Sequence, residues 1–91
     1  MEFAWDPEKA QRNFQKHGVT FAEAATVFRD PLGVTVPDLD HSENEDRYLT
    51  VGLSNLSRLL IVAHTDRGGR IRIISARELT RREREAYEQE R

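Results

Sequence analysis

Five side chains of this sequence could together move a proton and hold a negative charge: Lys16, His17, Arg72, Arg77 and Tyr87. Histidine gives and takes protons near neutral pH, and lysine and arginine stabilise the oxyanion of a phosphoryl transition state. A tyrosine can hydrogen-bond to a nucleotide or stack on a base. Because RNA supplies its own nucleophile, the 2′-hydroxyl, such a set could cleave RNA with neither a metal nor a protein nucleophile.

Each of these residues also has a purely structural explanation. Lys16 and His17 stand at the predicted end of a helix, where cations offset exposed carbonyl groups. Arg72 needs either a carboxylate partner or an open cleft, because an unpaired charge in mid-strand is costly. Arg77 could instead support the C-terminal helix, and Tyr87 could pack beneath it. The residue types alone leave both interpretations open.

The other candidates carry weaker signals. His64 ends an apolar strand, and the length of the following turn places it opposite either Ile71 or Arg72. His41 lies in an acidic loop, where we expect a solvated residue, and with the two aspartates before it matches no tetrahedral metal motif. The sequence has no glycine-rich phosphate loop and no recognisable nucleophilic serine. We therefore expect no metal and no cofactor.

Size and composition fit one small domain. The chain has 91 residues, 37% of them hydrophobic and 33% charged, so we expect a single domain over 1–91. It has no cysteine, which excludes disulfides and thiolate chemistry. No apolar run approaches the ~20 residues of a membrane span, and the N-terminus lacks a signal-peptide pattern. We expect a cytoplasmic protein that makes no contact with membranes.

Charge is distributed unevenly. Residues 1–66 hold six Lys/Arg and eleven Asp/Glu, whereas residues 67–91 hold eight arginines and five glutamates. Arginine presents a planar fork that suits bidentate contacts with phosphate. The arginine-rich end could therefore meet an anion, although a solvated helix would also account for Arg81, Arg82, Arg84 and Arg91.

A short strand and two helices should position Lys16 and His17. Residues 2–5 predict the strand, and Asp6 with Pro7 is typical of the start of a helix. Gly18 can adopt the left-handed conformation that ends this helix. Residues 16–17 would then occupy its last turn, at a tight corner before the next helix.

The second helix begins after Thr20. The spacing from Thr20 to Glu23 is that of a capping box, and Asp30-Pro31 ends the helical pattern. A third helix begins after Thr80. Thr80 and Glu83 have the same three-residue spacing, which predicts a second capping box. That last helix has little apolar surface, so we expect it at the edge of the sheet.

The segment between the second and third helices predicts strands. Residues 33–36 form a short one, and the acidic stretch 37–46 predicts a mobile loop. Strands over 47–54, 58–65 and 70–77 follow, the middle one apolar on both faces and the last two joined by a hairpin turn. We predict an α+β fold of order β-α-α-β-β-β-α, an antiparallel meander with its helices packed on one face.

Strand alternation predicts the faces of the last strand. Arg70 and Arg72 should share one face with Ala76, and Arg77 should point to the other face with Ile73. Such a strand would lie partly in the core and partly in a polar site.

Longer motifs resemble a known family. The stretches "FAWDPEKAQRNFQKHGVTFAEAATVFRDP", "GLSNLSRLLIVAHT" and "RIRIISARELTRREREAYE" resemble the BrnT toxins of type II toxin–antitoxin systems, over residues 3–88. The resemblance implies a RelE-like fold and a ribonuclease toxin that inhibits translation and growth. It also implies a cognate BrnA-type antitoxin with a ribbon-helix-helix DNA-binding part. Contacts with DNA would then be indirect, through the complex that represses its own operon.

The motif match carries the candidate residues over. "KHG" supplies Lys16 and His17, and "RIISAR" with the later tyrosine supplies Arg72, Arg77 and Tyr87. In the mechanism that we predict for these residues, His17 acts as general acid or base, and Lys16 with Arg72 holds the scissile phosphate. Arg77 and Tyr87 would hold the RNA. Further RNA contacts are expected from Arg58, Arg67 and Arg70.

The acidic net charge of −2 departs from the more basic toxins of the RelE type. It favours a second interpretation, a catalytically weak or inactive module that binds the antitoxin and acts in operon autoregulation. A metal-dependent hydrolase is a third, and EDTA would stop it. The catalytic interpretation requires the fold to bring His17 against Arg72 and Arg77 in one anion-sized pocket.

Overall fold

Five strands form one sheet, flanked by three helices. The computed structural model describes residues 1–90. In chain order the elements are β1 (Glu2–Ala4), α1 (Pro7–His17), α2 (Phe21–Thr26), β2 (Val34–Pro37), β3 (Arg47–Leu53), β4 (Leu59–Arg67), β5 (Arg70–Glu78) and α3 (Arg81–Gln89). Within the described residues no helix is long and apolar enough to cross a membrane.

The strands lie in the order β1-β5-β4-β3-β2. The run from β2 to β5 is an antiparallel meander, whereas β1 pairs with β5 in parallel. The predicted α+β class is confirmed. All five segments predicted as strands pair in this sheet, one more than the predicted order β-α-α-β-β-β-α counts, and the segment 34–37 is the outer strand beside β3. The parallel pairing of β1 departs from the predicted antiparallel meander.

The helix ends follow the local sequence signals. Asp6 accepts a hydrogen bond from the backbone N–H of Glu8 at 2.9 Å, and Gly18 ends α1 with a φ of 69°. At α3, Thr80 and Glu83 form a complete capping box. These bonds satisfy backbone groups that have no partner within the helix.

At α2 only half of the predicted capping box forms. Thr20 accepts from the backbone N–H of Glu23 at 3.0 Å, but the Glu23 carboxylate turns inward to Ser54 and Arg58. Glu23 is 5% exposed, so its charge needs these partners. A tertiary ion pair therefore replaces the local bond that the spacing predicted.

The core lies between the sheet and the first two helices. The buried cluster joins residues of α1–α2 and the following turn to the facing side of β4 and β5; it comprises Val19, Phe21, Ala24, Val27, Leu60, Val62, Ile73 and Ala76. Burial of such side chains contributes about 1.5–3 kcal/mol each for the larger ones. The face of the sheet opposite this core is the open face.

A β-bulge in β5 changes the predicted faces. His64 pairs with Ile73 and Ala63 pairs with Ser75, so Ile74 has no partner across the ladder. After the bulge the alternation is reversed. Contrary to the predicted alternation, Arg77 therefore lies on the open face together with Arg72.

The β4–β5 turn also corrects the predicted position of His64. Gly68 and Gly69 form a two-residue turn with φ values of 56° and 81°, a region that glycine adopts without strain. With Arg67 opposite Arg70, His64 pairs with Ile73 rather than with Ile71 or Arg72.

Candidate active site

A concave groove of about 530 Å³ lies on the open face. The end of α1 forms one side, the loop after β2 forms the other, and β3, β4 and β5 form the floor. Its charged and polar lining consists of Lys16, His17, Asp38, Asp40, His41, Arg47, Ser75 and Arg77. Two imidazoles and three cationic side chains thus share one groove.

Asn13 fixes α1 against the sheet. Its Nδ2 donates to the carbonyl oxygens of Ala76 at 2.8 Å and Val19 at 3.0 Å, and its Oδ1 accepts from the backbone N–H of Ala76 at 3.0 Å. The side-chain amide thus takes the place of a neighbouring strand where β1 no longer covers β5. Because His17 lies one turn after Asn13, these bonds set the position of Lys16 and His17 at the groove.

Lys16 and His17 are free to meet a ligand. Neither side chain makes a hydrogen bond or ion pair with another residue in 1–90. Lys16 is exposed and His17 is half-buried. The cationic end of α1 therefore keeps its charge and its proton-transfer group available to the groove.

Arg77 lines the groove and also holds α3. Its guanidinium donates to both carboxylate oxygens of Glu83, at 2.7 and 2.9 Å, and to the carbonyl oxygen of Glu78 at 3.1 Å. The hydrogen bonds from Arg77, followed by the one that the Thr80 backbone N–H donates, lower the pKa of Glu83 to about 2. Arg77 thus supports the C-terminal helix and also lies in the lining of the groove.

His41 lines the groove, although the sequence analysis gave it no role beyond that of a solvated loop residue. It lines the groove from the loop after β2, and its Nδ1 lies 3.0–3.1 Å from the carboxylate oxygens of Asp38. A carboxylate at one ring nitrogen orients the ring and leaves the other nitrogen for chemistry. The only local signal was an aspartate three residues before a histidine. Within residues 1–90, no group of three or more His, Asp or Glu side chains could hold a metal ion.

Arg72 and Tyr87 do not line the groove. Arg72 lies nearer the hairpin end of β5, opposite Thr65, and shares only the open face with Arg77. The Tyr87 hydroxyl donates to the carbonyl oxygen of Leu32 at 2.9 Å and so ties α3 to the segment before β2. Only part of the expected cluster therefore comes together: His17 and Arg77 line one groove, Arg72 lies outside it, and Arg77 is already paired with Glu83.

Arg58 lies on the core side of the sheet. Its guanidinium pairs with the buried Glu23, donates to the carbonyl oxygen of Gly18 at 3.1 Å, and lies 3.4 Å from a carboxylate oxygen of Glu78. The Arg58 hydrogen bond lowers the pKa of Glu23, and Glu23 in turn raises the pKa of Arg58. The structure thus places Arg58 away from the groove, in an internal ion pair.

Arg67 and Arg70 lie at the hairpin end of the open face. Arg67 pairs with Glu45 at 2.7 Å, and the nearest Arg70–Glu2 distance is 3.3 Å. All four side chains are more than a third exposed, so solvent screens both pairs. Such pairs leave both guanidinium groups able to exchange their partner for a phosphate.

His64 belongs to the core side rather than to the groove. It is 6% exposed, its Nε2 lies 2.7 Å from the Thr50 hydroxyl, and its ring contacts those of Phe28 and Tyr48. Burial lowers the pKa of His64, and the charge of Asp66 opposes this in part. The ring is therefore held neutral.

The free energy of unfolding should fall as the pH drops below about 7. Because the pKa of His64 is lower in the folded chain than the usual 6.5, the unfolded chain binds the proton first. The stabilisation is present above that usual value and is lost as the pH falls toward the folded one. Urea unfolding at several pH values would measure how steeply the free energy of unfolding changes with pH. His64→Gln should flatten this dependence, and an unchanged slope in that variant would contradict the assignment.

Comparison with known proteins agrees with this architecture. The family described as "Ribonuclease toxin, BrnT, of type II toxin-antitoxin system" matches residues 5–83. No curated protein is significantly similar in sequence. Among solved structures, the 1.1 Å crystal structure of the Brucella abortus ribonuclease toxin BrnT superposes with a TM-score of 0.70. It is 25% identical, and the match covers 89% of this chain and 99% of that one. On this evidence the chain belongs to the BrnT family of ribonuclease toxins of type II toxin–antitoxin systems.

Proposed function

We propose that this toxin cuts RNA in the open-face groove by attack of the RNA 2′-hydroxyl, without a metal ion, and thereby stops translation. The observation that carries the proposal is that two imidazoles from different elements, His17 at the end of α1 and His41 in the loop after β2, line one groove together with Lys16, Arg47 and Arg77. Cleavage of this type needs one group to accept a proton and another to donate one.

His41 is suited to accept the proton. With Nδ1 held by the Asp38 carboxylate, its Nε2 can take the proton of the 2′-hydroxyl as the oxygen attacks phosphorus. The O2′–P bond forms and the P–O5′ bond breaks. His17 donates its proton to the departing O5′, which leaves a 2′,3′-cyclic phosphate and a 5′-hydroxyl end.

Lys16 and Arg77 are suited to hold the charge of the phosphorane. Both line the groove beside His17, and a cation near the developing oxyanion lowers the barrier because the interaction strengthens in the transition state. Further along the open face lie the arginines that can follow the RNA backbone: Arg47, Arg67, Arg70 and Arg72.

The acidic wall of the groove supports the alternative function. Asp38 and Asp40 line it, so part of the groove repels phosphate. A toxin that binds its antitoxin and tunes repression, with little cleavage of its own, would tolerate such a wall. We propose cleavage as the main activity because Lys16 and His17 have no internal partner in the described chain.

We also propose that the antitoxin, which a type II toxin requires, is of the BrnA type. Its ribbon-helix-helix part would then carry the DNA contacts of the complex, so that this chain reaches DNA only indirectly. The pair would act in the cytoplasm.

Incubation of the purified toxin with RNA in excess EDTA tests the proposed chemistry. We expect cleavage at the same rate with and without the chelator. Cleavage that EDTA abolishes would show a metal-dependent hydrolase, and no cleavage by folded toxin in either buffer would favour the alternative module. Addition of Mg²⁺ after EDTA is the control for indirect effects on the RNA fold.

A further inference from the structure

Exposed apolar side chains gather around the outer strand β2. Leu32, Val34, Val36 and Leu39 are 59%, 46%, 44% and 84% exposed. Leu53, which is 47% exposed, lies on β3 at the same end of the sheet as the start of β2. We call these five residues the β2 patch. Contiguous exposed apolar surface on a small protein marks an interaction site.

The backbone of β2 is also open on one side. Within residues 1–90, β2 is the last strand of the sheet and pairs only with β3. Outer strands usually carry charges or bulges that prevent further pairing. Residues 32–36 carry no charge, and Val34, Thr35 and Val36 favour a strand. Only Pro37, which ends β2, limits pairing.

The surroundings of the β2 patch indicate the charge of its partner. The loop that follows β2 holds five carboxylates within nine residues: Asp38, Asp40, Glu43, Glu45 and Asp46. Within residues 1–90, ion pairs offset two of them, Asp38 with His41 and Glu45 with Arg67, and Arg47 and Arg72 add a weaker attraction at Glu45. The fitting ligand is an extended segment with alternating apolar side chains that continues into basic residues.

We propose that the antitoxin supplies this segment and adds it as a sixth strand along β2, its basic residues meeting the acidic loop. The proposal takes from the family only that an antitoxin exists, and it does not depend on how RNA is cut. Main-chain hydrogen bonds give affinity in such strand addition, and alternate side chains give specificity.

A second copy of this chain fits the same edge less well. Antiparallel pairing of β2 with its own copy would place the acidic loop of each chain beside Asp30 of the other. Like charges brought together across an interface disfavour that pairing. A basic partner meets no such repulsion.

Strand addition at β2 would also explain neutralisation. The loop after β2 begins at Asp38 and includes His41, and both of these residues line the groove. A segment paired with β2 and bound to this loop would therefore reach one side of the groove. It would restrain His41 without occupying the position of His17.

The double variant Val34→Lys/Val36→Lys tests the proposal. Titration calorimetry with the purified antitoxin should show a loss of affinity of about a hundredfold or more, because two buried apolar contacts are replaced by cations that face a basic segment. Leu56→Lys, at a 62% exposed position in the β3–β4 loop, is the matched control and should bind like the wild type. Circular dichroism checks that each variant is folded.

Two further readouts decide between the outcomes. Neither valine lines the groove, so RNA cleavage by the free double variant should equal that of the wild type. If the wild type cuts no RNA but the double variant still loses affinity for the antitoxin, only the proposed chemistry is overturned. Antitoxin affinity within about threefold of wild type would overturn the docking proposal. So would light scattering that shows a toxin dimer which only the double variant dissociates.

Discussion

Replacing His17 with alanine is expected to reduce RNA cleavage by about a hundredfold or more and to abolish growth arrest when the toxin is expressed. The imidazole lines the groove, and its loss leaves the departing O5′ without a proton donor. A fluorescent RNA substrate would give the rate, and induction of the gene in a strain without antitoxin would give the growth effect.

The fold of this variant should be unchanged, since the His17 side chain makes no hydrogen bond within residues 1–90. Gln15→Ala is the matched control, because Gln15 is exposed on the same helix and does not line the groove. Undiminished cleavage by folded His17→Ala would remove this histidine from the mechanism. A loss that Gln15→Ala shares would indicate damage to α1 instead.

Replacing Asn13 with alanine is expected to cost about 3 kcal/mol or more of unfolding free energy. The change removes three hydrogen bonds and leaves the backbone N–H and C=O of Ala76 and the C=O of Val19 buried without partners. Since a domain of this size has roughly 5–15 kcal/mol in total, much of its stability would be lost. Urea unfolding followed by circular dichroism measures the effect.

Lys9→Ala serves as the comparison, since Lys9 is exposed on the same helix and takes no part in these bonds. It should change the unfolding free energy by less than about 0.5 kcal/mol. A loss below about 1 kcal/mol in Asn13→Ala would show that α1 is held mainly by its apolar contacts. In that case Asn13 could not be the residue that positions His17.

Local signals were sufficient where a short stretch of chain decides the structure. The caps of α1 are made by Asp6 and Gly18 themselves, so the position of His17 in its last turn could be predicted. The apolar pattern likewise gave the strands, because alternation depends on the residues of one strand. These parts of the fold agree with the prediction.

Contacts between residues far apart in the chain determine the features that the sequence could not predict. The bulge at Ile74 reverses the faces of β5, and only the partner strand reveals it. The spacing of Glu23 suggested a local cap, but a buried carboxylate binds the stronger partner, Arg58. From the sequence, Tyr87 could either pack beneath its helix or contact a nucleotide. In the fold its hydroxyl donates to the carbonyl oxygen of Leu32, a residue 55 positions earlier.

The groove itself illustrates the same limit. His17 and His41 lie 24 positions apart, in a helix end and in a loop whose path no local pattern fixes. Asn13 gave no sign that its amide would bind Ala76, 63 positions later. Sequence reasoning grouped Lys16, His17 and Arg77, which line the groove, but gave His41 no role there.

The central claim is that the nucleophile belongs to the RNA and is activated between His17 and His41. The most direct measurement compares cleavage of a defined RNA with cleavage of the same RNA carrying a single 2′-deoxyribose at the cut position. The account predicts that the RNA is cut to a 2′,3′-cyclic phosphate and that the substituted strand stays intact at that position. Cleavage of the 2′-deoxy position at a comparable rate would contradict it.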